Sequence, residues 1–312
     1  MPLCVFDIAP DGTARPPDPD HPLGDGYRWW HFDITDSDLP EFLADNVPEI
    51  PAAALMAQET RPRCDPFGDG LILNLRGVNL NADGPADRMV AVRMWVASNL
   101  VVTVRMRKVF ALQALREESE AGHAPATPMG FVTALTARLM ARVRDTVFDL
   151  ADRIDVMEDN VHEDGAPLPD ALVEERRMAI RLRRYLAPQR DALIALLAAD
   201  TDLVSQSQQE RLREQTNLAK LAVEELESLI ARMTTVQDHH TAQAALAQGR
   251  NGYVLSIVAA VFLPLGFLTG LFGVNVGGMP GIDSKWAFAV LCVGLLILTA
   301  IAVWLLRRMR WI

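Results

Sequence analysis

The chain has 312 residues, of which 50% are hydrophobic and 22% are charged, and its formal net charge at pH 7 is −10. This acidic balance argues against a nucleic-acid-binding protein, because such proteins need a surplus of Lys and Arg to contact phosphates. The sequence has no P-loop, HExxH or nucleophile-elbow motif, so nothing in it indicates an enzyme.

The first 125 residues predict a small cytosolic α/β domain. Pro and Asp are frequent up to about residue 65, between short apolar islands at 5–8 and 29–34. Three apolar, β-branched runs of strand length follow, at 70–78, 89–96 and 100–105. The last two are separated by a plausible hairpin turn at 97–99. We therefore expect a small mixed sheet with helices, that is, an α+β fold.

Residues 126–250 predict a helical stalk region. One helix is expected from residue 127 to about 163, and a second from 169 to 199, kinked at Pro188. The third begins near residue 205 and meets no Gly or Pro before Gly249. It should therefore continue into the membrane as a rod of roughly 100 Å.

Residues 251–312 predict a transmembrane domain. The segments 253–272 and 286–306 contain no charged residue and have about the length that spans a bilayer. A short outer loop, 273–285, joins them. Basic residues flank the two spans on the side away from that loop, which predicts that both termini lie in the cytoplasm: Arg250, Arg307, Arg308 and Arg310. The N-terminus has no basic and apolar leader pattern, so we expect no cleaved signal peptide.

Charge is divided unevenly between these regions. Residues 251–312 hold Asp283 against Lys285 and three arginines, a net +3, so residues 1–250 carry −13. An acidic soluble region favours cations as partners, although ordinary solubility explains the same balance equally well.

Small and polar residues recur every three or four positions along the third helix and form what we call the small-residue seam. Its members are Thr235, Asp238, Ala242, Ala245, Gly249, Gly252, Ser256, Ala259, Leu263, Gly266, Gly270 and Gly273. This 3.5-residue period indicates a left-handed bundle of parallel helices. The seam either lines a pore with Leu263 as its constriction, or packs helices closely as small residues do in membranes. Its length and its one carboxylate, Asp238, favour the pore, which two spans per chain could enclose only in an oligomer.

Carboxylates recur along one face of the first stalk helix, at Asp145, Asp149, Asp152, Asp155, Asp159 and Glu163. Such a row repels itself unless cations offset it. The second stalk helix carries basic residues at matching spacing, which predicts salt bridges between the two helices, with attraction of metal cations as the alternative: Arg176, Arg177, Arg181 and Arg184.

Metal-ligand candidates are few. Asp238, His239 and His240 are adjacent, and neighbouring helix residues point to different faces, so a solvated surface is favoured over a metal site. Asp159 and Glu163 are the other weak candidates. The three cysteines are scattered, which fits a reducing cytosol and offers no thiolate site. No cofactor is expected.

The end of the first span, residues 262–275, reads FLPLGFLTGLFGVN and contains an F-x-P element and a G-x-N tripeptide, here Gly273, Val274 and Asn275. This pattern resembles the signature of the CorA-like metal-ion transporter superfamily. The following VGGMPG is similar to the ZntB branch of zinc transporters. Magnesium members usually have GMN with an acidic residue soon after it. The stretches 59–63, 105–109 and 184–191 are also similar to the ZntB branch, so the resemblance covers essentially the whole chain.

This resemblance implies a funnel-shaped homopentamer in the bacterial inner membrane. Each chain would provide the cytosolic domain, a long stalk helix that continues into the pore-lining span, and an outer second span. Zn²⁺ would be the transported substrate, Cd²⁺, Ni²⁺ or Co²⁺ would be accepted to varying degrees, and proton coupling has been proposed for the branch.

The residue chemistry fits that role. A ring of Asn275 carboxamides can hold the water shell of a dication without trapping the ion. Asp238 would concentrate cations at the cytosolic end. A magnesium or cobalt channel is the alternative in the same class, and a non-conducting membrane-anchored signalling or scaffold protein is the alternative from another class.

Overall fold

The first part of the chain folds around a seven-stranded mixed sheet. A computed structural model describes residues 1–18, 23–82, 84–161, 170–199, 203–273, 281 and 284–308. The chain divides into two structural units, Met1–Val236 and Gln237–Ile312. The predicted three-part division at residues 125 and 250 stays a prediction.

The strands are β1 (Cys4–Ile8), β2 (Ala14–Arg15), β3 (Tyr27–Asp33), β4 (Arg63–Phe67), β5 (Gly70–Gly77), β6 (Val90–Val96) and β7 (Leu100–Arg105). Their order in the sheet is β2-β1-β3-β7-β6-β5-β4. Only β3 and β7 pair in parallel, and the other neighbours in this order are antiparallel. Strand β5 is buried along almost its whole length, as expected for a strand covered on both faces.

The helices are α1 (Leu39–Asn46), α2 (Glu49–Met56), α3 (Phe110–Glu120), α4 (Pro128–Val161), α5 (Asp170–Ala198), α6 (Gln206–Gly273) and α7 (Ala287–Arg308). The helices α1 and α2 cover one face of the sheet, where Leu39, Leu43 and Leu55 pack with Trp95 and Val102. The other face joins a larger core with residues of α3, α4, α5 and the first half of α6. Local sequence sets the boundaries of α1, which has Pro40 in its first turn and ends just before Pro48.

The predicted strands and long helices are confirmed with small shifts at their ends. The three strand candidates became β5, β6 and β7, and β6 and β7 form the predicted antiparallel hairpin. The first stalk helix begins at Pro128, and its predicted end at residue 163 lies outside the described part of the chain. Pro188 lies inside α5, and α6 runs without a break into the apolar segment.

Sequence reasoning missed the early strands, although it marked their apolar islands. The central one, β3, places Trp29 fully inside the core, where its indole nitrogen donates to Thr103 Oγ1 at 2.9 Å. His31 is also buried, with its Nδ1 2.8 Å from the same hydroxyl oxygen. Burial lowers the pKa of His31 to about 4, because the charged imidazolium would be desolvated there.

Two of the stretches that resemble the ZntB branch meet at the edge of the sheet. The guanidinium of Arg76 lies 4.2 Å from the ring centroid of Tyr185, and its Nη2 donates to the carbonyl of Thr60 at 2.7 Å. The backbone N–H of Arg76 donates to the buried side chain of Gln189 at 2.6 Å. These contacts hold α5 against the sheet, so the two stretches have a structural role that the fold itself explains.

Candidate functional site

The second unit contains the end of α6 and α7, and both helices are long and apolar enough to cross a membrane. The part of α6 from residue 253 to 273 has no charged side chain, and α7 has none before Arg307. The most apolar stretch of α6 has 0% of its residues buried within the chain, and that of α7 has 6%. Apolar helices left this exposed by their own chain need lipid or other protein chains around them.

Every member of the small-residue seam from Thr235 to Gly273 is exposed within the single chain. Leu263, the only large residue among them, is 76% exposed. The seam is therefore free of intrachain packing along its whole length, on both sides of the point where the apolar segment begins.

No contact within the chain requires glycine at the glycine positions of the seam. A Cβ added at Gly249, Gly252, Gly266, Gly270 or Gly273 would meet no atom within 4 Å. Gly77, in contrast, is held small by Leu139 at 2.6 Å. Because glycine weakens a helix by about 1 kcal/mol relative to alanine, five unneeded glycines on one face indicate a neighbour or a pathway outside the single chain.

The opposite face of α6 behaves differently. Its half-buried apolar residues in the membrane segment are Ile257, Val261, Leu265 and Leu268. At about 100° per residue, this stripe lies roughly 180° from the seam. A stripe of the same spacing on α7 is half-buried or buried: Cys292, Leu295, Thr299, Val303 and Leu306. Two helices that pack side by side shield such stripes, and this arrangement would leave the seam facing away from α7.

The hydroxyl groups on the seam can accept hydrogen bonds from outside the helix but have no free proton to donate. Ser256 Oγ donates to the carbonyl of Gly252 at 2.9 Å, and Thr235 Oγ1 donates to that of Ala231 at 3.1 Å. Each hydroxyl proton is thus used within the helix, and the oxygen lone pairs remain available. An exposed oxygen of this kind can accept from the water shell of a cation.

The structure leaves Asp238 and His239 exposed and His240 partly exposed on α6. In the described residues, no three His, Cys, Asp or Glu side chains are placed to hold one metal ion. Asp159 is exposed near the end of α4, and its predicted companion Glu163 lies outside the described residues. Among the described residues, therefore, Asp238, His239 and His240 form no metal site within one chain. The pair Asp159 and Glu163 stays a prediction, and Asp238 keeps its place on the seam.

Among the described residues, the acidic row of α4 is bridged at Asp155 by an arginine other than the four predicted ones. Arg232 of α6 donates to Asp155 at 2.5 Å and also to Glu158, and these contacts raise the pKa of Arg232. The pair between α4 and α5 has the reverse polarity, with Arg153 donating to Glu175 at 2.7 Å. These bridges are partly exposed, so each contributes at most about 1 kcal/mol.

Three of the four arginines expected to meet the acidic row have other contacts. Arg181 binds the buried carboxylate of Asp87, and Arg177 binds Glu174 of its own helix. The guanidinium of Arg184 lies 5.8 Å from the ring centroid of Tyr185. Helix α5 turns this face towards the sheet edge, and that orientation depends on contacts between residues more than 90 positions apart. The spacing of charged residues along the two helices could not have predicted this orientation of α5.

The G-x-N tripeptide begins where α6 ends. Gly273 is the last residue of that helix. Val274 and Asn275 lie outside the described residues, as does Asp283 of the outer loop. The role expected for Asn275 therefore stays a prediction from the sequence.

Comparison with known proteins covers almost the whole chain. Residues 24–308 match the family model described as "CorA-like Mg2+ transporter protein". The chain is 32% identical over 310 residues to the "Zinc transport protein ZntB" of Yersinia enterocolitica, covering 99% of this chain and 92% of that protein. The protein of the same name from Pectobacterium carotovorum is 34% identical over 286 residues, covering 91% and 88%.

The fold is also found among solved structures. The full-length CmaX protein superposes with a TM-score of 0.83 at 30% sequence identity, covering 99% of this chain and 98% of that one. The likeness therefore extends through both units rather than the soluble part alone.

Proposed function

Because this chain belongs to the family of CorA-like metal-ion transporters, we propose that it moves Zn²⁺ across the bacterial inner membrane along a path lined by α6. The family consists of transporters, so the chain is a transporter and not an enzyme, and the metal is its substrate rather than a cofactor. The two zinc-transport relatives at 32% and 34% identity support zinc as the ion.

The observation that carries the proposed path is the exposed seam. Twelve residues from Thr235 to Gly273 share one face of α6, and all twelve are exposed within the chain. Five of them are glycines that no intrachain contact requires. A face that is small, continuous and unoccupied by its own chain is suited to surround a narrow axis when several copies of α6 come together.

Two spans per chain cannot enclose such an axis, so the active form is an oligomer, and we propose a homopentamer. In that assembly Leu263 forms the apolar constriction, because it is the one large residue on the seam and is 76% exposed. Asp238 forms a ring of carboxylates at the cytosolic end, and Asn275 forms a ring of carboxamides at the outer mouth. The uncharged ring holds a hydrated dication weakly enough to release it.

The proposed topology places both termini in the cytoplasm. Arg250 precedes the first span, while Arg307 and Arg308 follow the second, and basic flanks remain on the cytoplasmic side. The loop between the spans has one Lys and one Asp, so it carries no net charge that would retain it inside.

The alternative ion is Mg²⁺, which the description of the family model names. The outer loop disfavours it, since residues 276–281 are VGGMPG and contain no carboxylate. A non-conducting anchored scaffold is the remaining alternative, and the continuous small-residue seam and the G-x-N tripeptide both argue against it.

The proposal is tested by reconstituting the purified full chain in liposomes and measuring Zn²⁺ and Mg²⁺ uptake with and without a pH gradient. We expect Zn²⁺ uptake that exceeds Mg²⁺ uptake. No carboxylate or histidine lies within residues 253–273 or 287–308, so the spans offer no proton relay. A rate that rises with an inward proton gradient would establish coupling, and a rate that ignores the gradient would establish passive movement.

The matched variants are Asn275→Ala and Asn251→Ala. Asn251 is exposed on α6 but lies off the seam. We expect Asn275→Ala to reduce Zn²⁺ uptake at least about 100-fold, because the mouth loses its acceptor ring. Asn251→Ala should retain uptake. Normal uptake by an intact Asn275→Ala oligomer would remove that residue from the mechanism, and Mg²⁺ uptake alone would reassign the substrate.

A further inference from the structure

An apolar groove runs between α1 and α2 on the outer face of the sheet. Its volume is about 490 Å³, and it is open to solvent on one side. The lining residues are Pro40, Leu43, Ala44, Val47, Glu49, Ala52, Ala53 and Met56. Ala44 and Ala53 are exposed at its opening, and Ile50 beside it is 60% exposed. The groove belongs to the first unit.

The segment of the chain that contains this groove is strongly acidic. Residues 32–60 contain no Lys, Arg or His. They contain seven carboxylates, which account for most of the net charge of the chain: Asp33, Asp36, Asp38, Glu41, Asp45, Glu49 and Glu59.

Part of this charge is neutralised within the chain. The N-terminal ammonium lies 2.9 Å from Asp36 and 3.1 Å from Asp38, and Arg105 lies 3.8 Å from Asp33. The three carboxylates on the two helices that form the groove, Glu41, Asp45 and Glu49, are exposed and make no ion pair with any described residue. An apolar floor with an unneutralised acidic rim is complementary to a ligand that is apolar on one side and basic on the other.

We propose that this groove binds a basic amphipathic helix of a partner protein. Each of the two helices has eight residues and is about 12 Å long, which is about two helical turns. That length accommodates apolar anchors at positions i, i+4 and i+7 of a bound helix, which span about 10.5 Å. Lys or Arg residues beside the anchors would lie near Glu41, Asp45 and Glu49. A bilayer surface fits less well, because anionic lipids repel an acidic rim.

A second copy of the chain is a weaker occupant. The helix α5 presents Ile180, which is 46% exposed, among arginines. However, Arg177 is paired with Glu174 and Arg181 with Asp87 in its own chain. Docking α5 in the groove of another copy would therefore require breaking ion pairs that already exist, whereas a separate basic helix brings its own charge.

The test uses the full chain in nanodiscs of neutral lipid and fluorescent helical peptides of about 14 residues, or four turns. One peptide has Leu at i, i+4 and i+7 with Lys elsewhere. A second replaces each Lys with Glu, and a third has the composition of the first with its leucines scattered. We expect the first to bind, with an affinity that falls as salt rises, and the other two to bind at least about tenfold more weakly. Protein-free nanodiscs give the background.

Two variants and one control locate the binding. Glu41→Lys, Asp45→Lys and Glu49→Lys together reverse the rim, and Ala53→Trp fills the groove without a change of charge. The control reverses three exposed carboxylates of α4 instead, with Asp145→Lys, Asp152→Lys and Asp159→Lys. We expect about a tenfold loss of affinity in the first two proteins and less than about a twofold loss in the control.

Three outcomes would overturn the proposal. The first is equal loss in the α4 control, which would mean attraction by net charge alone. The second is full binding by Ala53→Trp, provided that circular dichroism shows native helix content. The third is that Ala53→Cys forms crosslinks between copies and that Ile180→Glu abolishes them, which would make the groove a contact between subunits.

Discussion

The two halves of α6 repeat their residues with the same helical period, but they differ in the size and the burial of the residues that repeat. Between residues 206 and 236 the repeating residues are mostly large and apolar and are buried by the same chain, as with Leu212, Leu226 and Leu229. Between 237 and 273 the repeating residues are small, and no residue of the described helix is buried. The first half is explained by the fold of one chain. The second half is explained only by what surrounds it in an oligomer and a bilayer.

This difference separates two kinds of constraint on one helix. In the first half, burial removes apolar area from water and stabilises the fold of the single chain. In the membrane-spanning part of the second half, lipid is as apolar as leucine, so burial offers little and close approach of helices depends on small residues. Substitutions should therefore act on stability in one half and on transport in the other, and the predictions for Gly266, Leu229 and Asp238 test that separation.

The largest effect is expected from Gly266→Leu on the seam. A leucine there enters open space in the single chain but fills the narrow axis of the oligomer, so Zn²⁺ uptake should fall at least about 100-fold. The matched control is Gly294→Leu on α7, where an added side chain also meets no atom within 4 Å. It should retain at least about half the uptake, because its neighbours are lipid.

Crosslinking must show that the Gly266→Leu oligomer is intact. Loss of the oligomer together with uptake would mean that the seam packs helices rather than lines a path. Equal loss in Gly294→Leu would mean that the seam is not distinguished from the rest of the membrane surface.

The next effect is on stability in the first half of α6. Leu229 is 0% exposed, so Leu229→Ala should lower the free energy of unfolding by about 2–5 kcal/mol through lost burial and a cavity. Leu246→Ala, at a position 75% exposed, should change it by less than about 0.5 kcal/mol. Denaturant titration of the detergent-solubilised chain measures both. Similar losses in the two variants would contradict the separation.

A smaller effect concerns pH and lies in the first unit. The pKa of His31 is about 4 in the folded chain, below its value of 6.5 in the unfolded chain. Below pH 6.5 the unfolded chain binds a proton that the folded chain excludes, so stability falls as the pH drops towards 4, by about 1.4 kcal/mol per pH unit, and is flat above 6.5.

His31→Gln should flatten that dependence, whereas His123→Gln should preserve it, because His123 is exposed. Denaturation midpoints of the two variants are measured between about pH 4 and 7, a range that includes the folded and the unfolded pKa of His31. An unchanged slope in His31→Gln would assign the pH dependence to other groups.

The smallest effect is expected at Asp238. A carboxylate exposed to water attracts a cation weakly, and salt screens this attraction at distances beyond the Debye length of about 8 Å. Asp238→Asn should therefore reduce Zn²⁺ uptake only a few-fold at low salt and hardly at all at high salt. Unchanged uptake at low salt would remove Asp238 from the path, and a loss that persists at high salt would indicate direct coordination instead.

Much of the fold was accessible to sequence reasoning, because its signals are local. The length of α6, the two spans, and the strands β5, β6 and β7 follow from period, apolar runs and the absence of helix breakers within short windows. The strands β1 and β3 escaped because they are short, lie among Pro and Asp residues, and gain their stability by pairing with distant partners. The seam is likewise a local pattern, so its residues could be identified from their spacing alone, whereas its role as a pore lining stays a prediction.

The sequence alone determined that this is a membrane protein with a long helix, a small-residue seam and the motif of a transporter family. These properties depend on side-chain type and spacing, which a single helix preserves. Only the tertiary structure decided which charges meet and which remain unpaired. It placed Arg232 beside Asp155 and Glu158, turned Arg181 towards Asp87, and joined α1 and α2 into an apolar groove beside exposed carboxylates. Such contacts link residues far apart in the chain, and their geometry is set by how the elements pack.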